Sequence, residues 1–160
     1  MKFKEPEALS EVAKFHQVFD LPIEQNPTIP DAGRCALRLN LLEEELQELR
    51  EAIENRDLTE VADAFADIQY VLSGAILEFG LADRFRDIFD EVQRSNMSKV
   101  CKTWEEAEAT VSRYRMEKDM EGEIVEKDGQ YLVYRKSDRK VLKSIAYAKA
   151  SIEPIVKGHI

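Results

Sequence analysis

Two cysteines in 160 residues, Cys35 and Cys101, are too few for a disulfide framework, and no CxxC pair exists to hold a metal or run redox chemistry. Long hydrophobic runs are also missing. The longest uncharged stretch, residues 68–77, is about half of a membrane span. The opening residues lack the apolar core of a signal peptide. Positive charge is in short supply: 23 Lys and Arg stand against 32 Asp and Glu, a net charge of −9. A general binder of nucleic acid or of membrane surfaces would carry a basic patch instead. Glycine-rich dinucleotide and P-loop motifs are absent, as is an Asp-x-Asp-x-Thr nucleophile. The expectation is a cytoplasmic protein with no nucleic-acid or membrane partner.

What the chain does hold is helical periodicity. Hydrophobic residues make up 44% of it, enough for a globular core. Leu9, Val12, Phe15, Val18 and Phe19 follow helical spacing over residues 7–19. Pro22, Pro27 and Pro30 then mark a loop. Leu39, Leu42, Leu46, Leu49 and Ile53 step by three and four along a second helix over residues 32–54. Thr59 is a candidate N-cap for a third helix that ends at Gly80. A fourth is expected over 81–95. Thr103-Trp104-Glu105-Glu106 reads as a capping box that opens a fifth, to about residue 119. After residue 121 the pattern turns to strands: Asp128-Gly129 is a hairpin turn between two short β-rich runs, and residues 140–145 offer a third strand. The fold class expected is all-α, a bundle of about five helices in residues 1–120, with a small C-terminal β meander in residues 121–160.

Two acid clusters on successive helices carry the chemistry. The first is Glu43-Glu44-Glu45-Leu46-Gln47-Glu48, and the second runs from Glu60 through Asp63 to Asp67. At about 100° per residue, Glu45 and Glu48 project about 60° apart, and Glu60, Asp63 and Asp67 fall within about 60° of one another. Antiparallel packing of the two helices brings these carboxylates to one point, where like charges repel unless a cation is present. An acidic triplet alone is usually a solvated face. Here, however, Asp63 and Asp67 lead into the uncharged stretch at 68–77, and no Lys or Arg lies between Asp57 and Asp83 to pair with them. Hard oxygen ligands without His or Cys suit Mg²⁺, with Mn²⁺ as a substitute. Magnesium bound by few carboxylates points in turn to a phosphorylated substrate.

The Glu-x-x-Glu of Glu45 and Glu48 followed by the Glu-x-x-Asp of Glu60 and Asp63 resembles the signature of the all-α nucleoside triphosphate pyrophosphatases, the superfamily of MazG proteins, dimeric dUTPases and phosphoribosyl-ATP pyrophosphohydrolases. Phe15-His16 ahead of the proline loop, Ala64-Phe-Ala-Asp-Ile-Gln-Tyr-Val and Arg94-Ser-Asn-Met-Ser-Lys99 strengthen the likeness, which spans about residues 8 to 100. The second acidic motif has two anchorings. By spacing it is Glu60 and Asp63. By the Asp-x-x-aromatic before the apolar helix it falls on Asp67, and the position three residues earlier is Ala64.

The resemblance implies Mg²⁺-dependent hydrolysis of a nucleoside triphosphate between the α and β phosphates. Glu45, Glu48, Asp63 and Asp67, with Glu60 as a further candidate, would ligate the metal, and Glu44 is a candidate base. Arg94, Asn96 and Lys99 form the expected phosphate contact, although bases at a helix C-terminus also serve to complement its dipole. The partners implied are the nucleotide and further copies of the chain, as a homodimer or homotetramer. A second reading of another class is a non-catalytic nucleotide-binding or oligomeric interaction bundle.

Overall fold

The computed structural model describes residues 1–158. Its elements, in chain order, are α1 (Ala8–Val18), α2 (Ala32–Asn55), α3 (Leu58–Glu78), a 3₁₀ turn (Ala82–Arg84), α4 (Phe85–Met97), α5 (Trp104–Lys118), β1 (Gly122–Lys127), β2 (Gln130–Arg135) and α6 (Glu153–Lys157). The all-α bundle with a small C-terminal hairpin is therefore the observed class. No single helix among the described residues is long and apolar enough to cross a membrane.

Local chemistry sets the helix ends. Asp31 caps α2 by accepting from the Gly33 and Arg34 backbone N–H groups. The cap of α3 is Asp57, which accepts from Thr59 N at 2.9 Å and Glu60 N at 3.2 Å, so Thr59 is the second helical residue rather than the cap. At α5 Thr103 accepts from Glu106 N, while the Glu106 carboxylate reaches back to Lys102 N at 2.7 Å, one residue beyond the usual capping-box partner. Gly80 ends α3 at φ +64°, where a Cβ would stand 2.0 Å from the Asn26 carbonyl oxygen, so only glycine fits.

The chain divides into two compact units, Met1–Arg86 and Asp87–Ile160. The sequence reading drew its line at residue 120, where helix gives way to strand. Compactness draws it inside α4, because α5 packs on the hairpin that follows it. In the first unit α2 and α1 both pack on α3, and Val12, Ala52, Ala64, Ile76 and Leu77 are buried. In the second, Cys101, Ala107, Tyr114, Val133 and Leu142 form the core. β1 and β2 are antiparallel with Lys127 opposite Gln130, closed by Asp128 and Gly129, both at positive φ as a type I′ turn requires. The third strand expected at 140–145 amounts to a single bridge, Tyr134 to Val141.

The stripe expected to face inward along α2 is split. Leu42 and Leu49 are half-buried, but Leu39, Leu46 and Ile53, seven residues apart, are each more than half exposed. On α3 Leu58, Phe65 and Leu72 repeat the spacing and are also exposed. Within the uncharged stretch at 68–77, Tyr70 and Leu72 also reach solvent.

Candidate active site

The packing of α2 on α3 brings the two acid clusters within electrostatic reach, with Glu45 as their meeting point. Its Oε2 is inaccessible to solvent and has no hydrogen-bond partner. Burial pushes the Glu45 carboxyl above its ordinary value, and the charges of Asp67, Glu48, Glu44 and Asp63 push it further. Asp67 is half-buried; Glu44, Glu48 and Asp63 are exposed. Glu60 stands apart from this set, exposed in the first turn of α3, where its N–H serves the Asp57 cap. Ala64, three residues before Asp67, is buried in the helix interface. Among the described residues no three His, Cys, Asp or Glu side chains converge closely enough to hold an ion as they stand. The cluster is nevertheless suited to a hard divalent cation: it is all oxygen, it is mutually repulsive, and it includes a buried oxygen without a partner.

About two to three turns away from Glu45 on α2 and Asp67 on α3 lies a group of residues that sequence reasoning passed over. Glu78, 1% exposed, accepts from Arg34 through Nε at 3.0 Å and Nη2, and from Arg38 through Nη2. Burial raises the Glu78 carboxyl, but its hydrogen bonds to Arg34 and Arg38 outweigh this and hold it below the ordinary value. Arg38 also donates from Nη2 to His16 Nε2 at 3.2 Å. A guanidinium cannot accept, so His16 carries its proton on Nδ1 and donates it to the Pro22 carbonyl at 2.8 Å. The buried histidine is thus a structural link between α1, the proline loop and α2. Gly74 makes room for it, since a Cβ there would come within 2.7 Å of Arg38 Nη1 and 3.0 Å of His16 Nε2. The available sequence signal was Glu78, a lone acid closing an uncharged run, with two arginines at i and i+4 on the helix before.

Arg94, Asn96 and Lys99 lie in the second unit. Arg94 is committed: Nε and Nη2 each reach Glu91 at 2.7 Å, and Nη2 also reaches the Lys149 carbonyl at 3.1 Å. With Ser151 N adding a further bond, Glu91 is lowered to about 2. Arg94 therefore ties the C-terminal segment to α4. Asn96 and Lys99 do come together, the Lys99 ammonium donating to Asn96 Oδ1 at 2.7 Å, both beside the chain surface.

No curated protein matches this chain. The family model for phosphoribosyl-ATP pyrophosphohydrolase matches residues 12–96, just over half of the sequence and the whole of α2 and α3 with their acids. The chain belongs to that family, within the MazG-like all-α nucleoside triphosphate pyrophosphatase superfamily, and is a hydrolase of phosphoanhydride bonds.

Proposed function

We propose that the chain is a Mg²⁺-dependent nucleoside triphosphate pyrophosphohydrolase that cleaves between the α and β phosphates, releasing the monophosphate and pyrophosphate. The observation that carries the reading is Glu45, with a buried, partnerless oxygen among four other acids from two helices of a pyrophosphohydrolase family member. Glu45, Glu48, Asp63 and Asp67 would hold the metal, which when bound would screen phosphate charge and acidify a water. Glu44, next to Glu45 and about 40° from Glu48 round the helix, is the candidate base that would accept a proton from that water. Its exposed position suits a group that must exchange protons with solvent. Incubation with a panel of nucleoside triphosphates and Mg²⁺ should release pyrophosphate, and EDTA should stop it. Release of orthophosphate, or no release at all, would sink this assignment.

Asn96 and Lys99 act on phosphate oxygens in this reading. In Lys99→Ala the loss should appear in kcat/KM, on the order of 1.5–3 kcal/mol for one charge-assisted hydrogen bond. The melting temperature should stay near wild type, because Lys99 has only a surface partner. Wild-type hydrolysis by Lys99→Ala would reduce the segment to a helix terminus decorated with bases.

The heptad-spaced apolar residues Leu39, Leu46 and Ile53 on α2 and Leu58, Phe65 and Leu72 on α3 support a homodimer built on these two helices. In Phe65→Glu, at a position 57% exposed in the single chain, the solution mass from light scattering should fall to that of one copy. A wild type already of that mass would exclude the assembly.

A further inference from the structure

The negative charge of the chain is unevenly shared. Residues 87–160 hold 14 acids and 14 bases, so the whole excess of −9 belongs to the first unit. Within the neutral second unit, Arg94, Arg135, Lys136, Arg139 and Lys157 are taken up in ion pairs. Three other bases, Arg113, Lys118 and Lys143, line one cavity of about 190 Å³ between α5 and residues 143–147. Among the described residues none of these three has an ion-pair partner.

The fold holds these cations in place. Arg113 is half-buried, and its Nη2 donates to the Lys143 carbonyl at 2.8 Å and the Ser144 carbonyl at 3.4 Å, which leaves Nε and Nη1 for a ligand. The Arg113 guanidinium and the Lys118 ammonium stand 5.3 and 5.2 Å from the ring centre of Tyr114, and the Lys143 ammonium 4.5 Å from that of Tyr147. Tyr114 is buried, and its hydroxyl accepts from Lys143 N at 3.1 Å, while Ile145 N donates to the buried Thr110 hydroxyl at 3.0 Å. These bonds pin residues 143–145 to α5. The Tyr147 hydroxyl is held below its ordinary value by its hydrogen bond with Ser95, and then by the charges of Lys143, Lys99 and Lys149. Glu117 also lines the cavity, leaving three bases against one acid. Cations gathered in a concave site without counter-charge repel one another, and a bound anion relieves that repulsion.

We propose that this cavity binds a compact, multiply charged phosphate anion of the size of pyrophosphate. It is smaller than the roughly 300–1,000 Å³ that takes a drug-sized ligand, so a diphosphate suits it better than a whole nucleotide. Cations already cover the two tyrosine rings, which therefore offer no stacking platform to a base. The charge is also in two groups, Arg113 with Lys118 at Tyr114 and Lys143 at Tyr147, which matches two linked phosphoryl groups better than one. Every lining residue lies beyond residues 12–96, so the site is an addition to the helices matched by the family model. The inference does not depend on the hydrolase reading. Free pyrophosphate and the diphosphate end of a nucleotide share the chemistry required.

Calorimetry of the full chain in EDTA excludes metal, so the acid clusters stay repulsive to anions. Pyrophosphate should bind once per chain, and orthophosphate at least tenfold more weakly. Lys118→Gln and Lys143→Gln should each weaken pyrophosphate binding at least tenfold, and Glu117→Gln should strengthen it several-fold. Lys140→Gln, at an exposed position outside the cavity, and Asp67→Asn, in the acid cluster, should both bind within twofold of wild type. All four second-unit side chains are exposed, so melting temperatures near wild type are expected throughout. ADP and UDP bound at least tenfold more weakly than pyrophosphate would name the free anion as the ligand, and equal binding would name the diphosphate end of a nucleotide. No pyrophosphate binding, orthophosphate bound as tightly, or a loss in Lys140→Gln equal to that in Lys143→Gln would each overturn the site. Binding lost in Asp67→Asn would place the anion at the acid cluster and overturn it as well.

Discussion

Glu78→Gln should lower the free energy of unfolding by about 3–5 kcal/mol at neutral pH, the usual cost of removing one partner from a buried ion pair. Against a total of roughly 5–15 kcal/mol for a domain, this is the largest single-residue effect expected in the first unit. The glutamine keeps the size of the side chain but leaves two guanidinium groups sharing a neutral amide, whose NH₂ would face their N–H donors. Arg38 is the more exposed to this loss, because its side chain is only 9% accessible and cannot recover its hydration. The pH dependence has a definite sign. Glu78 titrates below its ordinary 4.5 in the folded chain, so its contribution is complete above about that value and fades as the pH falls through the folded one. Denaturant titrations should therefore show a wide gap between wild type and Glu78→Gln at pH 7 that narrows below pH 4.5. A gap under about 1 kcal/mol at pH 7 would mean that the arginines find other acceptors and that the network is not what fixes α1 and α2 on α3.

The order and extent of the helices were legible because a 3.6-residue apolar period survives any tertiary context, and α1, α2 and α5 begin and end within about two residues of the sequence reading. The caps were legible only in type. Asp57 and Thr59 are both good caps two residues apart, and what selects Asp57 is a side chain that reaches two successive N–H groups. The third strand was over-read. Val141 bridges Tyr134, and Leu142 N reaches the Val133 carbonyl at 2.8 Å, but the chain then leaves β2. The two acid clusters were written in local spacing, since carboxylates three and four residues apart must share a helix face. The Arg34–Arg38–Glu78 network was not, because its partners are 44 and 40 residues apart and no period links them. The absence of a base between Asp57 and Asp83 argued correctly that α3 cannot neutralise its own acids. It did not foresee that α2 would neutralise Glu78 at one end of α3 while adding more acid to Asp67 nearer the other.

That asymmetry along α3 leads to the prediction that separates the two anchorings of the second acidic motif. Asp67 is half-buried and, of the charges raising Glu45, acts most strongly, whereas Glu60 is exposed and outside the set. If Asp67 is the ligand contributed by α3, Asp67→Asn should abolish Mn²⁺ binding in calorimetry and reduce pyrophosphate release on the order of 10²–10³-fold, as expected for loss of one preorganised charge at a reacting centre. Glu60→Gln should change neither by more than a few-fold, because a solvated first-turn acid holds nothing that water cannot replace. The metal-free melting temperature adds a control that a structural role for Asp67 would not pass. Removing one of several repelling carboxylates beside a buried Glu45 oxygen should leave the metal-free protein as stable as wild type or more so. A clear fall in metal-free stability would show Asp67 to be a hydrogen-bonding residue of the α2–α3 interface. Unaltered Mn²⁺ affinity in Asp67→Asn, or equal losses in Asp67→Asn and Glu60→Gln, would place the ion elsewhere than at the meeting point of these two helices.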